Sequence, residues 1–128
     1  MNDKLSRYAQ LVAQAKSQIK ELSVEDTKAE LAAESAVQLI DVREESEWQR
    51  GHLPDAIHLS RGLLEVKIEK AMPDVNAPII LYCGGGGRSA LAALSLQVMG
   101  YTNVQSMADG FKAWIASGED ARIVEPTS

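Results

Sequence analysis

The first apolar pattern along the chain has the period of a helix. Its members lie three or four residues apart and are Leu5, Tyr8, Val12, Ala15, Ile19 and Leu22. This spacing puts them on one stripe of a helix, so we predict an N-terminal amphipathic helix over residues 1–22. The stripe is shorter than the three to four heptads that indicate a coiled coil. Packing against the rest of the domain is therefore favoured over a dimer contact, and a monomer over a dimer.

Beyond residue 22 the pattern changes to short apolar runs that alternate with helical stretches. Ser23 is a suitable N-cap for a short helix over residues 24–33. Strands are then predicted at 37–41, 56–59, 78–82 and 103–107, and helices at 44–50, 63–72, 88–99 and 111–117. The run at 78–82 is continuously apolar, which is typical of a strand covered on both faces.

This alternation of strands and helices predicts an α/β fold with a mainly parallel sheet. The domain spans residues 23–118, and residues 119–128 form a C-terminal tail. A chain of 128 residues has room for one domain of this kind.

Composition and charge narrow the function classes. Hydrophobic residues make up 45% and charged residues 24%, as in ordinary globular domains. The net charge of −5 disfavours nucleic-acid binding. No apolar run approaches the roughly 20 residues of a membrane span, and the N-terminus lacks a signal-peptide core. One cysteine rules out an intramolecular disulfide and suits a reducing compartment, so we expect a cytoplasmic protein.

That cysteine begins the most informative segment of the sequence. Cys83 is followed by Gly84, Gly85, Gly86, Gly87 and Arg88, between the most apolar predicted strand and an apolar helix. Sheets of this type bind ligands beyond the carboxyl ends of their strands. Successive glycine N–H groups can form an anion-binding nest, and the helix N-terminus and Arg88 add positive charge. All three effects favour a thiolate, so we predict that Cys83 is a nucleophile and that residues 84–88 bind an anion.

Two other interpretations of the glycine run remain open at this point. The run could be a flexible linker, with the Cys83 sulfur packed in the core. It could also be a nucleotide phosphate loop, although the Lys-Ser/Thr ending of such loops is absent.

The pattern Cys83-x-x-x-x-Arg88 resembles the active-site loop of the rhodanese family of sulfurtransferases. Three further segments match family motifs in the same order: LIDVRE at 39–44, GHLPDAIH at 51–58 and DGFKAW at 109–114. The resemblance covers residues 23–118 and implies a three-layer α/β/α rhodanese-like fold. Asp55 and Asp109 stand where the family often has glycine. Because aspartate tolerates left-handed turns, we expect the backbone to be kept.

The resemblance implies sulfur transfer through a Cys83 persulfide, with no metal or organic cofactor. The expected partners are a small-molecule donor, such as thiosulfate or a persulfide, and a thiol or cyanide acceptor. A protein donor or acceptor is the alternative, in which the domain is a sulfur carrier or binding module. Related phosphatases have a longer Cys-x5-Arg loop, so the four residues between Cys83 and Arg88 favour sulfur over phosphate.

The remaining candidates surround this loop. Asp41 and Arg43 resemble the family's Asp-x-Arg pair, and either form a structural ion pair or contact substrate. His52, like His58, is expected to make structural hydrogen bonds rather than act as a general base. Arg61 follows the second predicted strand, where it is either a cation at the pocket rim or a solvated surface residue. We expect Glu44, Glu45 and Glu47 to form a solvated helical face.

Overall fold

A computed structural model describes residues 5–33, 36–118 and 123–124. Helices and strands alternate along these ranges. The helices are α1 (Arg7–Lys16), α2 (Val24–Ala33), α3 (Glu45–Gln49), α4 (Leu64–Ala71), α5 (Gly87–Val98) and α6 (Gly110–Ala116). The strands are β1 (Lys20–Leu22), β2 (Gln38–Asp41), β3 (Ile57–His58), β4 (Ile79–Tyr82) and β5 (Val104–Met107).

The five strands form one parallel sheet in the order β1-β5-β4-β2-β3. β4 lies at its centre, with Ile80 paired to Leu39 of β2 on one side and to Gln105 of β5 on the other. The chain runs from β2 outward to β3, and from β4 outward to β5 in the opposite direction. Sheets of this type bind ligands where the strand order reverses in this way, which here is beyond the carboxyl ends of β2 and β4. Cys83 lies directly after β4, at this position.

Side chains of β4 alternate between two hydrophobic clusters, one on each face of the sheet. Ile79 and Leu81 pack with helices α4 and α5, whereas Ile80 and Tyr82 pack with residues of α2 and α6. All four side chains are buried, which explains why the segment reads as a continuous apolar run. The predicted three-layer α/β/α fold with a parallel sheet is confirmed.

The predicted first helix is wrong at its C-terminal end. Helix α1 ends at Lys16, and Lys20–Leu22 forms the edge strand β1, paired in parallel with β5. Ile19 and Leu22 fit the helical spacing, but two apolar residues three apart do not distinguish a last helical turn from a short strand. The deciding hydrogen bonds are long-range, since the Ala108 N–H donates to the Leu22 carbonyl at 2.8 Å.

The chain termini are described in part. Within the predicted tail, Val124 forms an antiparallel bridge with His52, while 119–122 and 125–128 lie outside the described residues. Residues 1–4 of the predicted N-terminal helix also lie outside them. No helix in the described ranges combines the length and the hydropathy that crossing a membrane requires.

Candidate active site

Backbone N–H groups surround the sulfur of Cys83. The Gly86 N–H donates to Sγ at 3.1 Å and the Ser89 N–H at 3.3 Å. The residue is 1% exposed, and the N-terminus of α5 begins at Gly87 beside it. Two N–H dipoles and a helix N-terminus directed at one sulfur stabilise negative charge there.

The loop keeps this shape because two glycines let other backbone segments approach closely. Gly86 has φ +101°, and a Cβ atom added to it would lie 1.8 Å from the Ala108 carbonyl oxygen. Gly110 has φ +68°, and its added Cβ would lie 2.6 Å from the carbonyl oxygens of Cys83 and Gly84. No side chain fits at either position, so both glycines are steric requirements of the site.

The first turn of α6 holds the carbonyl side of the loop. The Phe111 N–H donates to the Cys83 carbonyl at 2.8 Å, and the Lys112 N–H donates to the Gly84 carbonyl at 3.1 Å. These bonds satisfy two N–H groups that a helix N-terminus leaves without intrahelical partners. The motif at 109–114 therefore contributes to the site as a clamp on the cysteine loop.

The two aspartates that replace family glycines behave differently. Asp55 adopts the left-handed region, with φ +64°. Asp109 has φ −106° and ψ 0°, which any residue can adopt. Only Asp55 therefore relies on the tolerance of aspartate for positive φ, and the expectation that the family backbone is kept stays a prediction at both positions.

Two buried hydroxyl groups lie behind the sulfur, and the sequence analysis missed both. Ser89 Oγ is 3.6 Å from Cys83 Sγ, 3.3 Å from the Gly86 carbonyl oxygen and 2.8 Å from Ser106 Oγ. A hydroxyl can accept the S–H of a thiol or donate to a thiolate, so this pair can adapt to both states of Cys83. Ser89 adjoins Arg88 in the sequence and could have been considered. Ser106 lies within a strand and carries no such signal.

Arg88 lies at the solvent-facing side of the loop, which we call its mouth, and its guanidinium is paired with a carboxylate. Its Nη1 donates to Glu47 Oε1 at 2.7 Å and its Nη2 to Oε2 at 3.1 Å. The hydrogen bond to Arg88, more than any other contact, lowers the pKa of Glu47 to about 2. The same bond raises the pKa of Arg88. The prediction that Glu47 belongs to a solvated helical face is therefore wrong. The sequence pattern could not show this, because the partner of Glu47 is 41 residues away.

Asp41 and Arg43 form a second pair, which is buried beside the loop. Arg43 Nη2 donates to Asp41 Oδ2 at 2.8 Å and to the Gly51 carbonyl at 2.7 Å. Its guanidinium lies 4.1 Å from the ring centroid of Phe111. Burial alone would lower the pKa of Arg43, but the hydrogen bonds and charge of Asp41 raise it. This pair connects β2 to the turn at Gly51 and to α6. We call such buried residues, which support the loop from behind, the frame of the site.

The histidines bond to backbone carbonyls. His52 Nδ1 donates to the Leu53 carbonyl at 3.0 Å, and His58 Nε2 donates to the Arg43 carbonyl at 2.7 Å. The Trp48 ring stacks on His52 with centroids 3.4 Å apart and on His58 at 5.0 Å. These contacts connect both rings to the chain around Arg43. They are consistent with structural hydrogen bonding, and that role for the histidines stays a prediction.

Arg61 is held by an acidic residue of α4. Its Nη1 donates to Glu65 Oε2 at 2.7 Å, and that oxygen also accepts the Ser95 hydroxyl at 2.6 Å. Among the described residues, these contacts join Arg61 to α4 and α5 and not to the cysteine loop. Its role as a cation at the pocket rim stays a prediction.

Helix α1 also contributes to the site. A Cβ atom added to Gly87 would lie 2.6 Å from Tyr8 Oη and 3.4 Å from Val12 Cγ2. The N-terminal helix therefore covers the outer side of the loop. Of the predicted stripe, Ala15 is buried and Val12 half-buried, whereas Leu5 and Tyr8 are 45% and 54% exposed. Nothing in the sequence indicated that this helix contacts the glycine loop.

No group of three or more His, Cys, Asp or Glu side chains in the described ranges is arranged to hold a metal ion. The chemistry that this arrangement supports is nucleophilic attack by a sulfur anion, with backbone N–H groups to stabilise the charge.

Comparison with known proteins agrees with this geometry. The family model of the rhodanese-like domain matches residues 23–117, and the chain belongs to that family. It is 32% identical over 96 residues to the thiosulfate sulfurtransferase GlpE of Pseudomonas savastanoi, covering 75% of this chain and 89% of GlpE.

Two further relatives extend the comparison. The chain is 28% identical to the sulfur carrier protein YrkF of Bacillus subtilis, and the match covers 80% of this chain but 55% of YrkF. The solution structure of a polysulfide-sulfur transferase homodimer from Wolinella succinogenes superposes with a TM-score of 0.76 at 29% identity. That match covers 92% of this chain and 89% of the Wolinella chain.

Proposed function

We propose that this protein is a rhodanese-type sulfurtransferase that moves a sulfane sulfur through a Cys83 persulfide. The observation that carries this proposal is the pair of N–H donors, from Gly86 and Ser89, at 3.1 and 3.3 Å from Sγ. N–H groups at these distances can donate to a negatively charged sulfur, and the thiolate is the reactive form of cysteine. The similarity to GlpE supports thiosulfate as one donor.

In the first step, the Cys83 thiolate attacks the outer sulfur of the donor. A new S–S bond forms, the S–S bond of thiosulfate breaks, and sulfite leaves with the bonding electron pair. A persulfide donor reacts in the same way and releases its thiolate. The enzyme is left as Cys83–S–S⁻, whose outer sulfur carries the charge. N–H groups of residues 84–88 are the proposed donors to that sulfur, as in an oxyanion hole.

In the second step, an acceptor attacks the outer sulfur. Cyanide leaves as thiocyanate and an acceptor thiolate leaves as a persulfide, and either reaction returns the Cys83 thiolate. The cycle is redox-neutral and requires no metal or organic cofactor. A free thiol of this kind suits a reducing compartment such as the cytoplasm.

Intact mass tests the proposal directly. The reduced protein is incubated with thiosulfate and, separately, with glutathione persulfide, and cyanide is added last. We expect the wild type to gain the mass of one sulfur atom that cyanide removes, whereas Cys83→Ser gains none. A wild type that is alkylated at Cys83 but loads sulfur from neither donor would contradict the small-molecule enzyme.

The alternative is a sulfur carrier whose donor is a protein. The glycines at 84–87 offer no side chain for substrate recognition, and the sulfur carrier YrkF is a relative. Repeated turnover separates the two functions. An enzyme converts an excess of small donor and cyanide to thiocyanate, whereas a carrier loads sulfur from small donors slowly and rapidly from its protein partner.

A further inference from the structure

The charge at the mouth of the loop is set by two side chains from different elements. Arg88 comes from α5 and Glu47 from α3, and each side chain is 31% exposed. A Cβ atom added to Gly84 would lie 3.1 Å from Arg88 Nη2 and 4.0 Å from Glu47 Oε2. The ion pair therefore lies beside the first glycine of the loop, facing solvent.

The carboxylate of Glu47 is held in place independently of Arg88. Its Oε1 also accepts the Glu44 N–H at 2.9 Å, at the N-terminus of α3. An anion that binds Arg88 must therefore share the guanidinium with a fixed carboxylate. Because the four glycines carry no charge, the nearest charges beside Gly84 are those of Glu47 and Arg88, which oppose each other.

We propose that Glu47 determines which sulfur donors this site accepts, favouring donors with a single negative charge, such as hydropersulfide anions, over the thiosulfate dianion. This inference rests on the proposed function of Cys83. Coulomb repulsion scales with the charge of the donor, so the carboxylate penalises a dianion twice as much as a monoanion. The N–H groups of the loop attract monoanions and dianions alike. The carboxylate therefore changes which of the two kinds of donor reacts faster.

The test compares Glu47→Gln with the wild type on two donors that differ by one charge. Thiosulfate is a dianion and methanethiosulfonate a monoanion, and each presents its outer sulfur on a sulfonyl group. Attack on methanethiosulfonate forms Cys83–S–S⁻ and releases methanesulfinate, so charge and electrons balance. The measured quantity is the second-order rate constant of persulfide formation, from stopped samples analysed by intact mass.

We expect Glu47→Gln to raise the rate constant with thiosulfate about three- to tenfold, and that with methanethiosulfonate by about the square root of this factor. Glutamine keeps an oxygen that can accept the Glu44 N–H, so α3 should stay intact. Glu47→Asp retains the charge and should keep the wild-type ratio of the two constants.

Glu45→Gln is the matched control. Glu45 lies on the same helix, is exposed, and bonds to Gln49 rather than to the loop. The substitution Glu45→Gln removes the same charge and should leave the ratio of the two rate constants unchanged. An unchanged ratio in Glu47→Gln, an equal fall with both donors, or the same shift in Glu45→Gln would overturn this inference. A wild type that loads from neither donor would instead overturn the proposed function, and this inference with it.

Discussion

Two arginine–carboxylate pairs border the Cys83 loop, and their surroundings give them different roles. Asp41 and Arg43 are two residues apart, and their side chains are 0% and 5% exposed. Glu47 and Arg88 are 41 residues apart, and each is 31% exposed. Water reaches and screens the outer pair, whereas the inner pair is shielded from solvent. The first pair therefore belongs to the frame of the site and the second to its mouth.

The glycines of the loop also differ in whether their surroundings are packed or open. Gly86 faces the Ala108 carbonyl at a distance that excludes a Cβ atom, whereas nothing lies within 4 Å of a Cβ added to Gly85. The loop is thus fixed by a backbone contact at Gly86 and exposed to solvent at Gly85. Frame and mouth should respond differently to the same substitutions.

The largest effect is expected from the buried pair. Asp41→Asn leaves the Arg43 guanidinium buried without its counter-charge, so the free energy of unfolding should fall by about 3–5 kcal/mol. Glu47→Gln, the same chemical change at the mouth, should cost less than about 1 kcal/mol. Urea unfolding of both variants at neutral pH measures the difference. Equal losses would show that burial does not separate the two pairs.

Alanine in the loop should show the next largest effect. Gly86→Ala forces a Cβ atom against the Ala108 carbonyl at positive φ, so we expect a loss of about 3 kcal/mol and of sulfur loading. Gly85→Ala, with open space around it, should change stability by less than about 0.5 kcal/mol. Thermal unfolding and intact mass after thiosulfate follow both properties. A Gly86→Ala protein as stable as Gly85→Ala would contradict the close approach of Ala108.

Removing the cation at the mouth should affect chemistry more than stability. Arg88→Gln is expected to slow persulfide formation from thiosulfate by roughly tenfold to a hundredfold, the value of a charge-assisted hydrogen bond. Its unfolding free energy should change by less than about 1 kcal/mol. Arg50→Gln, an exposed arginine outside the loop, is the control. Adding Glu47→Gln to Arg88→Gln should restore part of the rate, because an unpaired carboxylate then no longer repels the donor.

The smallest effect is a pH dependence of the outer pair. The pKa of Glu47 is about 2 in the folded protein, against an ordinary value of 4.5. A lowered carboxyl pKa stabilises the fold fully above the unfolded value, and this contribution disappears as the pH falls through the folded value. The difference in unfolding free energy between wild type and Glu47→Gln should thus shrink between about pH 5 and pH 2. Urea unfolding of both proteins across this pH range measures the difference. A difference that does not change with pH would contradict the ion pair between Glu47 and Arg88.

Much of the fold could be predicted from local pattern. The strands β2 to β5 and helices α2 to α6 follow from apolar period, caps and glycine positions, because these signals act within a few residues. β1 could not be predicted, because a three-residue edge strand is defined by its hydrogen bonds to β5. The residues of the candidate site likewise differ in whether they are neighbours in the sequence. The residues of the loop are contiguous, whereas Glu47, Ser106 and Tyr8 come from three other elements.

The sequence by itself determined that a cysteine lies between a buried strand and a helix, followed by four glycines and an arginine. That order predicts the nucleophile and the anion-binding backbone, since both depend on neighbours in the chain. Together with the segments at 39–44, 51–58 and 109–114 it also indicates the family. Tertiary structure alone decided the electrostatics of the mouth. Arg88 meets Glu47 only because α3 and α5 both lie at the carboxyl ends of adjacent parallel strands, and the charge that a donor encounters depends on distances that the folded sheet creates.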